Sequence, residues 1–397
     1  MLPGCGCHAV PSPSQEAAVH PTTPSPAPAP RGVALLFPGQ GAQQPLMAVG
    51  LYHGHPPFRR LVDEVFEVWG AEGAALRADW LSGSPAANPD GVSRAQPLLF
   101  AVDWALGRMV LDWGVRPAAL LGHSVGEVAA ATLAGVFTLE EAAGLMADRV
   151  AHIESAPAGG MLAVQATAAE MTPYLHDDVV VGAVNAPRQV VLAGSEAPLA
   201  VSEARLRAAG FTCRRTRALS PFHSPALAPA ALAALPALSR LPLRAPGLPL
   251  HSAYTPGPLT PAQAADPRFW AGQPAAPVLF GPALDALLGT GELLLLEAGP
   301  GQGLTALAKR HPAVGAGGSA AQGLLPARAR GDATDLRTLR TAVERLLAGG
   351  WLAHDPLPAP AGTVRTRPST QPEAHQPASR QDCERDRPGP VTGPRRL

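Results

Sequence analysis

The chain has 397 residues, enough for one large domain or two to three ordinary ones, with 31 basic and 31 acidic side chains and no formal net charge. That balance excludes the electrostatic footprint of a nucleic-acid binder, and no stretch approaches the ~20 apolar residues of a membrane span. A hydrophobic content of 46 % predicts a globular protein, whereas 46 prolines and 41 glycines approach low-complexity composition.

The prolines are unevenly placed: eight lie in residues 1–31 and nine in 355–397. Neither end has apolar periodicity, so both are expected to be disordered tails around a folded part spanning 32–354. Cys5, Cys7 and His8 resemble a metal cluster, but a tail gives them no fixed geometry, and no metal is expected. Cys5, Cys7 and Cys383 fall in the tails and leave Cys213 alone, which gives no disulfide framework and suggests a reducing cytoplasm. The Leu2-Pro3-Gly4-Cys5 start lacks the charged and apolar regions of a secretory signal.

In chain order, Val33–Phe37 is an apolar run ending in Pro38-Gly39-Gln40-Gly41, which predicts a buried strand and a tight loop. Helical patterns follow over 57–69 and 98–113. Ala118–Leu121 predicts a second strand, broken by Gly122-His123-Ser124-Val125-Gly126 ahead of a helix over 127–134, and a further amphipathic helix covers 140–153. Residues 158–218 change rhythm: strands at 161–165, 179–184, 189–193 and 211–217 alternate with helices at 168–175 and 198–209. This β-α-β-β-α-β order predicts a ferredoxin-like subdomain inserted into a larger one made of 32–157 and 219–354. A proline-interrupted helix over 225–241 and a strand over 293–296 complete the larger part.

Ser124 lies in a G-x-S-x-G pentapeptide between strand and helix, where flanking glycines permit the sharp turn that exposes a nucleophilic serine. The N–H of Val125 then points to where an oxyanion would form. His223 is the candidate base, in a turn-rich stretch after the small subdomain, and His123 is expected to pack behind the turn. Taken alone, the pentapeptide also fits an ordinary strand–helix turn, His223 a surface-loop histidine, and Arg149 a helix-surface arginine.

Five segments stand in a recognisable order: Phe37-Pro38-Gly39-Gln40-Gly41, Gly122-His123-Ser124-Val125-Gly126-Glu127, Val184-Asn185-Ala186-Pro187, Phe222-His223-Ser224 and Glu297-Ala298-Gly299-Pro300-Gly301. With Arg149, they resemble the malonyl-CoA:acyl carrier protein transacylases of fatty acid synthesis and the acyltransferase domains of polyketide synthases. The resemblance covers roughly 33–312 and implies an α/β-hydrolase-like large subdomain with a parallel sheet. It implies Ser124 as nucleophile, His223 as general base, and the backbone of Gln40 with that of Val125 as oxyanion hole.

By the same resemblance, Arg149 pairs with the free malonyl carboxylate, the carbonyl of Gln273 orients His223, and Gln96 and Asn185 support the cleft. Phe222 and Val125 match the malonyl-selective pattern, although Pro221 and Gln44-Pro45-Leu46-Met47 depart from the family's usual residues. The implied reaction moves malonyl from malonyl-CoA to the phosphopantetheine thiol of an acyl carrier protein without metal or cofactor. A discrete, monomeric enzyme acting in trans is expected. A serine thioesterase or esterase, editing acyl carrier proteins, is the alternative use of Ser124 and His223.

Overall fold

The computed structural model describes Met1, residues 31–83 and residues 87–358. The tail cysteines and most of both terminal segments lie outside the described residues. Arg31 and residues 355–358 are described: the Arg31 N–H donates to the Glu292 carbonyl at 2.8 Å, and Leu357 packs into the main core. Chain contacts separate Met1–Leu357 from Pro358–Leu397, and the two sheets belong to the first of these units.

Among the described residues ten strands form two sheets: β1 (Gly32–Phe37), β2 (Ala119–Gly122), β3 (Gly159–Val164), β4 (Val180–Ala186), β5 (Gln189–Ser195), β6 (Cys213–Arg215), β7 (Leu250–Ser252), β8 (Gly257–Pro258), β9 (Leu293–Glu297) and β10 (Ala320–Gly323). The large sheet runs β10-β9-β1-β2-β7-β8. Its first five strands are parallel, and β8 joins β7 antiparallel at the edge. That edge tolerates Pro258, which has no N–H to offer a further strand.

The apolar runs are continuous because both faces of this sheet are covered. Val33, Leu35 and Phe37 of β1 face one core with Leu294 and Leu296 of β9. Ala34 and Leu36 face the other core with Leu293 and Leu295. Among the described residues, no helix is long and apolar enough to cross a membrane.

The small sheet runs β4-β5-β3-β6 and is antiparallel throughout, the ferredoxin-like order. Leu162, Val164, Val190 and Leu192 bury into its own core with Leu199 and Leu206 of the helix Glu196–Ala208. Alternate residues, including Ala183 and Val191, turn to the large sheet's second core. Val278 ties the two sheets together: its carbonyl accepts from the Val184 N–H at 2.8 Å, and its N–H donates to the Gly182 carbonyl at 2.9 Å.

One helix starts earlier than its pattern predicts. The helix Val92–Asp112 runs through Pro97, which cannot donate to the Ser93 carbonyl. Arg94 Nη1 makes a long 3.5 Å contact to that carbonyl instead, and the buried Ala95, Gln96, Leu99 and Phe100 hold the turn against the core. The helix Asp332–Ala348 has no counterpart among the predicted elements.

Candidate active site

The turn after β2 places Ser124. A β-carbon on Gly122 would lie 2.2 Å from the Glu127 backbone, and one on Gly126 would lie 2.3 Å from the Phe37 carbonyl oxygen. Only glycine fits at either position, so the helix Gly126–Leu133 can begin directly against β1. Ser124 itself is held at φ 55° and His223 at φ 65°, a left-handed conformation that costs a side-chain-bearing residue ~1–3 kcal/mol.

Ser124 Oγ lies 2.8 Å from His223 Nε2. On the far side of the ring, Nδ1 is 2.9 Å from the Ala276 carbonyl and 3.2 Å from the Gln273 carbonyl. Carbonyls only accept, so Nδ1 carries the proton and Nε2 is free to accept from the serine hydroxyl. The His223 backbone N–H donates to the Pro274 carbonyl at 2.7 Å. The loop 273–276 thus fixes the ring with backbone carbonyls, where serine hydrolases use a carboxylate. Ala276, absent from the motifs, makes the shorter of the two contacts.

Burial, with His123 and Arg149 nearby, pushes His223 down to about 3. The imidazole is therefore neutral at ordinary pH.

Gln40 follows β1. Its side-chain carbonyl accepts from Gln96 Nε2 at 3.0 Å, and its amide donates to the Asp90 carbonyl at 3.2 Å. Gln43 Nε2 reaches Asp90 Oδ1 at 2.8 Å, and Gln43 Oε1 accepts from the Gly41 N–H at 2.6 Å. These bonds pin the loop to the start of the helix Val92–Asp112. The backbone N–H groups of Gln40 and Val125 have no hydrogen-bond partner among the described residues.

Arg149 lies on the buried face of the helix Leu139–Glu154, in step with Leu145, Met146 and Ile153. The capping box of Thr138 and Glu141 sets where that helix starts. Arg149 is 4 % exposed, and its Nε and Nη2 have no hydrogen-bond partner among the described residues. Burial lowers its pKa, against the pull of Tyr254 and Glu127.

Glu127 is fully buried and accepts from Ser252 Oγ at 2.7 Å, the Ala253 N–H at 3.1 Å and Gln273 Nε2 at 3.3 Å. Burial outweighs these bonds and pushes its carboxyl up to about 8. It joins the helix after the nucleophile to the segment that orients the histidine.

Ser124, His223, Gln40, Gln96, Asn185 and Phe222 line one cleft of about 510 Å³. Val125 and Gln273 are buried behind it, and Arg149 borders a smaller pocket with Leu145, Ile153, Trp270 and Pro274. Contrary to expectation, His123 also faces the cleft. Its Nε2 meets Asn185 Oδ1 of β4 at 2.9 Å, a bond across the two sheets that turns the imidazole outward. At the mouth, β6 and the residues after it contribute Arg214, Arg215 and Arg217. Arg215 is already engaged by Glu196 and Glu203, and Arg217 stands 4.0 Å from Asp90 Oδ1.

Residues 34–350 match the family model described as "Acyl transferase domain", and the chain belongs to that family, which includes the transacylases and polyketide synthase acyltransferases. It is 39 % identical over 281 residues to a component of the phenolphthiocerol/phthiocerol polyketide synthase of Mycobacterium tuberculosis, covering 70 % of this chain and 19 % of that relative. The chain thus spans about a fifth of that curated relative's length.

Among solved structures, it resembles the acyltransferase domain from the second module of the salinomycin polyketide synthase. The TM-score is 0.72 at 34 % identity, covering 81 % of this chain and 75 % of the other. The malonyl CoA-acyl carrier protein transacylase from Coxiella burnetii matches with a TM-score of 0.68 at 25 % identity, covering 80 % of this chain and 98 % of the other.

Proposed function

We propose that this protein transfers a malonyl group from malonyl-CoA to the phosphopantetheine thiol of an acyl carrier protein, through an ester on Ser124. The reading rests above all on the 2.8 Å Ser124–His223 pair beside an arginine with unpartnered, buried donors. Neutral His223 takes the Ser124 proton through Nε2 as Oγ attacks the thioester carbonyl. The carbonyls of Ala276 and Gln273 stabilise the imidazolium through Nδ1–H. The N–H groups of Gln40 and Val125 receive the oxyanion of the tetrahedral intermediate.

The intermediate expels the CoA thiolate, which takes the proton from His223. In the second half-reaction His223 accepts the proton of the carrier thiol, whose sulfur attacks the malonyl ester, and then returns that proton to Ser124. One thioester replaces another, so the exchange is near thermoneutral.

A guanidinium offers paired donors to a carboxylate, so Arg149 favours a dicarboxylic acyl group over acetyl. Phe222 limits room for an α-methyl group, and one methyl is worth only ~1–3 kcal/mol in selectivity. Arg214 and Arg217 at the mouth suit the phosphates of CoA and phosphopantetheine. Similarity to polyketide synthases favours a role in polyketide assembly, carried out in the cytoplasm where CoA esters and carrier proteins occur.

Intact-mass measurement after incubation with malonyl-CoA tests the reading. Malonyl is expected to add once, to vanish in Ser124→Ala, and to discharge onto carrier protein. Absence of any adduct overturns the proposal, and release of free malonate without carrier loading supports a hydrolase instead.

A further inference from the structure

No motif includes Tyr254, yet its ring stands beside His223, the partner of Ser124. It follows β7, and its backbone N–H and Ser252 Oγ lie 3.0 Å apart; Ser252 in turn donates to Glu127. The segment is therefore anchored to the helix that begins beside Ser124. The Tyr254 ring lies against His223, with centroids 6.2 Å apart, and meets Phe269 edge-on at 6.4 Å. Phe222 stands 6.3 Å from the same histidine. Two aromatic rings thus flank the general base.

The Tyr254 hydroxyl is buried and in electrostatic contact with both Ser124 and Arg149, but no hydrogen bond of acceptable geometry reaches it. Nε and Nη2 of Arg149 are in the same condition. The Tyr254 hydroxyl and the Arg149 guanidinium thus face one another beside Ser124, and among the described residues neither the hydroxyl nor Nε and Nη2 makes a hydrogen bond of full geometry. Buried donors are normally paired, and a carboxylate, which only accepts and has about four lone-pair sites, can take all three.

Resting on the acyl-serine reading, we propose that Tyr254 is a specificity-determining residue of the acyl pocket. Its hydroxyl donates, alongside Arg149, to the free carboxylate of a short dicarboxylic acyl group on Ser124. Its ring, with Phe222, narrows the space open to an α-branch. Acyl choice is thus shared between the hydroxyl, which reads charge, and the ring, which reads width.

The test compares initial rates of acyl-enzyme formation by intact mass for the wild type, Tyr254→Phe and Tyr254→Val with malonyl-, methylmalonyl- and acetyl-CoA. Ratios between substrates cancel any general loss of active protein. Tyr254→Phe keeps the ring and is expected to lower the malonyl-to-acetyl ratio about tenfold, the effect of a lost charge-assisted hydrogen bond. Tyr254→Val is expected also to raise the methylmalonyl-to-malonyl ratio.

A wild type labelled preferentially by malonyl, with a Tyr254→Phe ratio within twofold of it, overturns the role of Tyr254 alone. A wild type that takes up no acyl group, or prefers acetyl, overturns the underlying reading as well. If Tyr254→Val does not fold, the Tyr254→Phe ratio decides.

Discussion

The two sheets contribute unequally to the cleft. The large sheet presents its chemistry at the carboxyl ends of β1 and β2, where Gln40 and Ser124 follow directly, as open α/β sheets generally place their ligands. The small sheet presents mainly a wall: Met161, Ala163, Ala183 and Val191, with Asn185 as its polar anchor and arginines at the rim. His223 belongs to neither sheet. It sits in the return from the small sheet, fixed by carbonyls from the loop that leads to Val278. Ser124 and Gln40 therefore depend on the parallel core and His223 on the loop 273–276, whereas the outer wall of the cleft depends on how the small sheet is held against that core.

Substitutions should separate these two contributions. The largest effect is expected for His223→Ala, which removes the proposed general base and should slow single-turnover acylation by ~10²–10⁴-fold; a smaller loss would place the base elsewhere. Glu127→Gln preserves volume but turns one acceptor into a donor facing Ser252, Ala253 and Gln273. It should reduce kcat about tenfold, equivalent to ~1.4 kcal/mol, with KM little changed, and a pure KM effect would separate Glu127 from the orientation of His223.

On the small-sheet side, Asn185→Ala frees His123 and loosens the tie between the sheets. A net loss of ~1 kcal/mol is expected, read as a several-fold rise in KM for acyl-CoA with kcat retained. The opposite split would assign Asn185 to the chemical step.

Acid pH distinguishes chemistry from stability without any substitution. The folded His223 stays neutral until about pH 3, whereas an unfolded histidine takes up its proton near 6.5. Below 6.5 the unfolded state therefore binds more protons at this site, so its contribution to stability falls while the base remains competent. Acylation rate per folded molecule should hold as pH drops from 7 through 6.5 (values set about the ordinary histidine pKa) while the melting temperature declines. An acid limb in the rate centred at 6.5 would mean that the base is not desolvated.

How far the sequence carries depends on the length of the signal. Unbroken runs such as Leu293–Leu296 and the G-x-S-x-G turn mark strands and turn strongly, and the alternation in 158–218 yields the ferredoxin-like order. The strands β7, β8 and β10 have four residues or fewer and lack the apolar run that marks the equally short β2. Pro97 hides the first turn of its helix, because local propensity opposes what core packing imposes.

Within the candidate site, the motif residues Ser124, His223, Gln40, Asn185 and Phe222 converge on one cleft. Ala276 acts through its backbone carbonyl, which leaves no mark on residue type. Tyr254 becomes visible only because the turn after β7 brings its ring to His223. The divergence of neighbouring side chains predicts His123 behind the turn, but Asn185 draws it to the cleft.

The paired positive φ angles of Ser124 and His223 have an evolutionary consequence. Glycine would occupy either position without strain, so drift toward greater stability runs directly through loss of the proposed nucleophile or base. Once selection for transfer is relaxed, an inactive descendant could be more robust than its parent, and durability in such a lineage would indicate lost chemistry rather than refined chemistry.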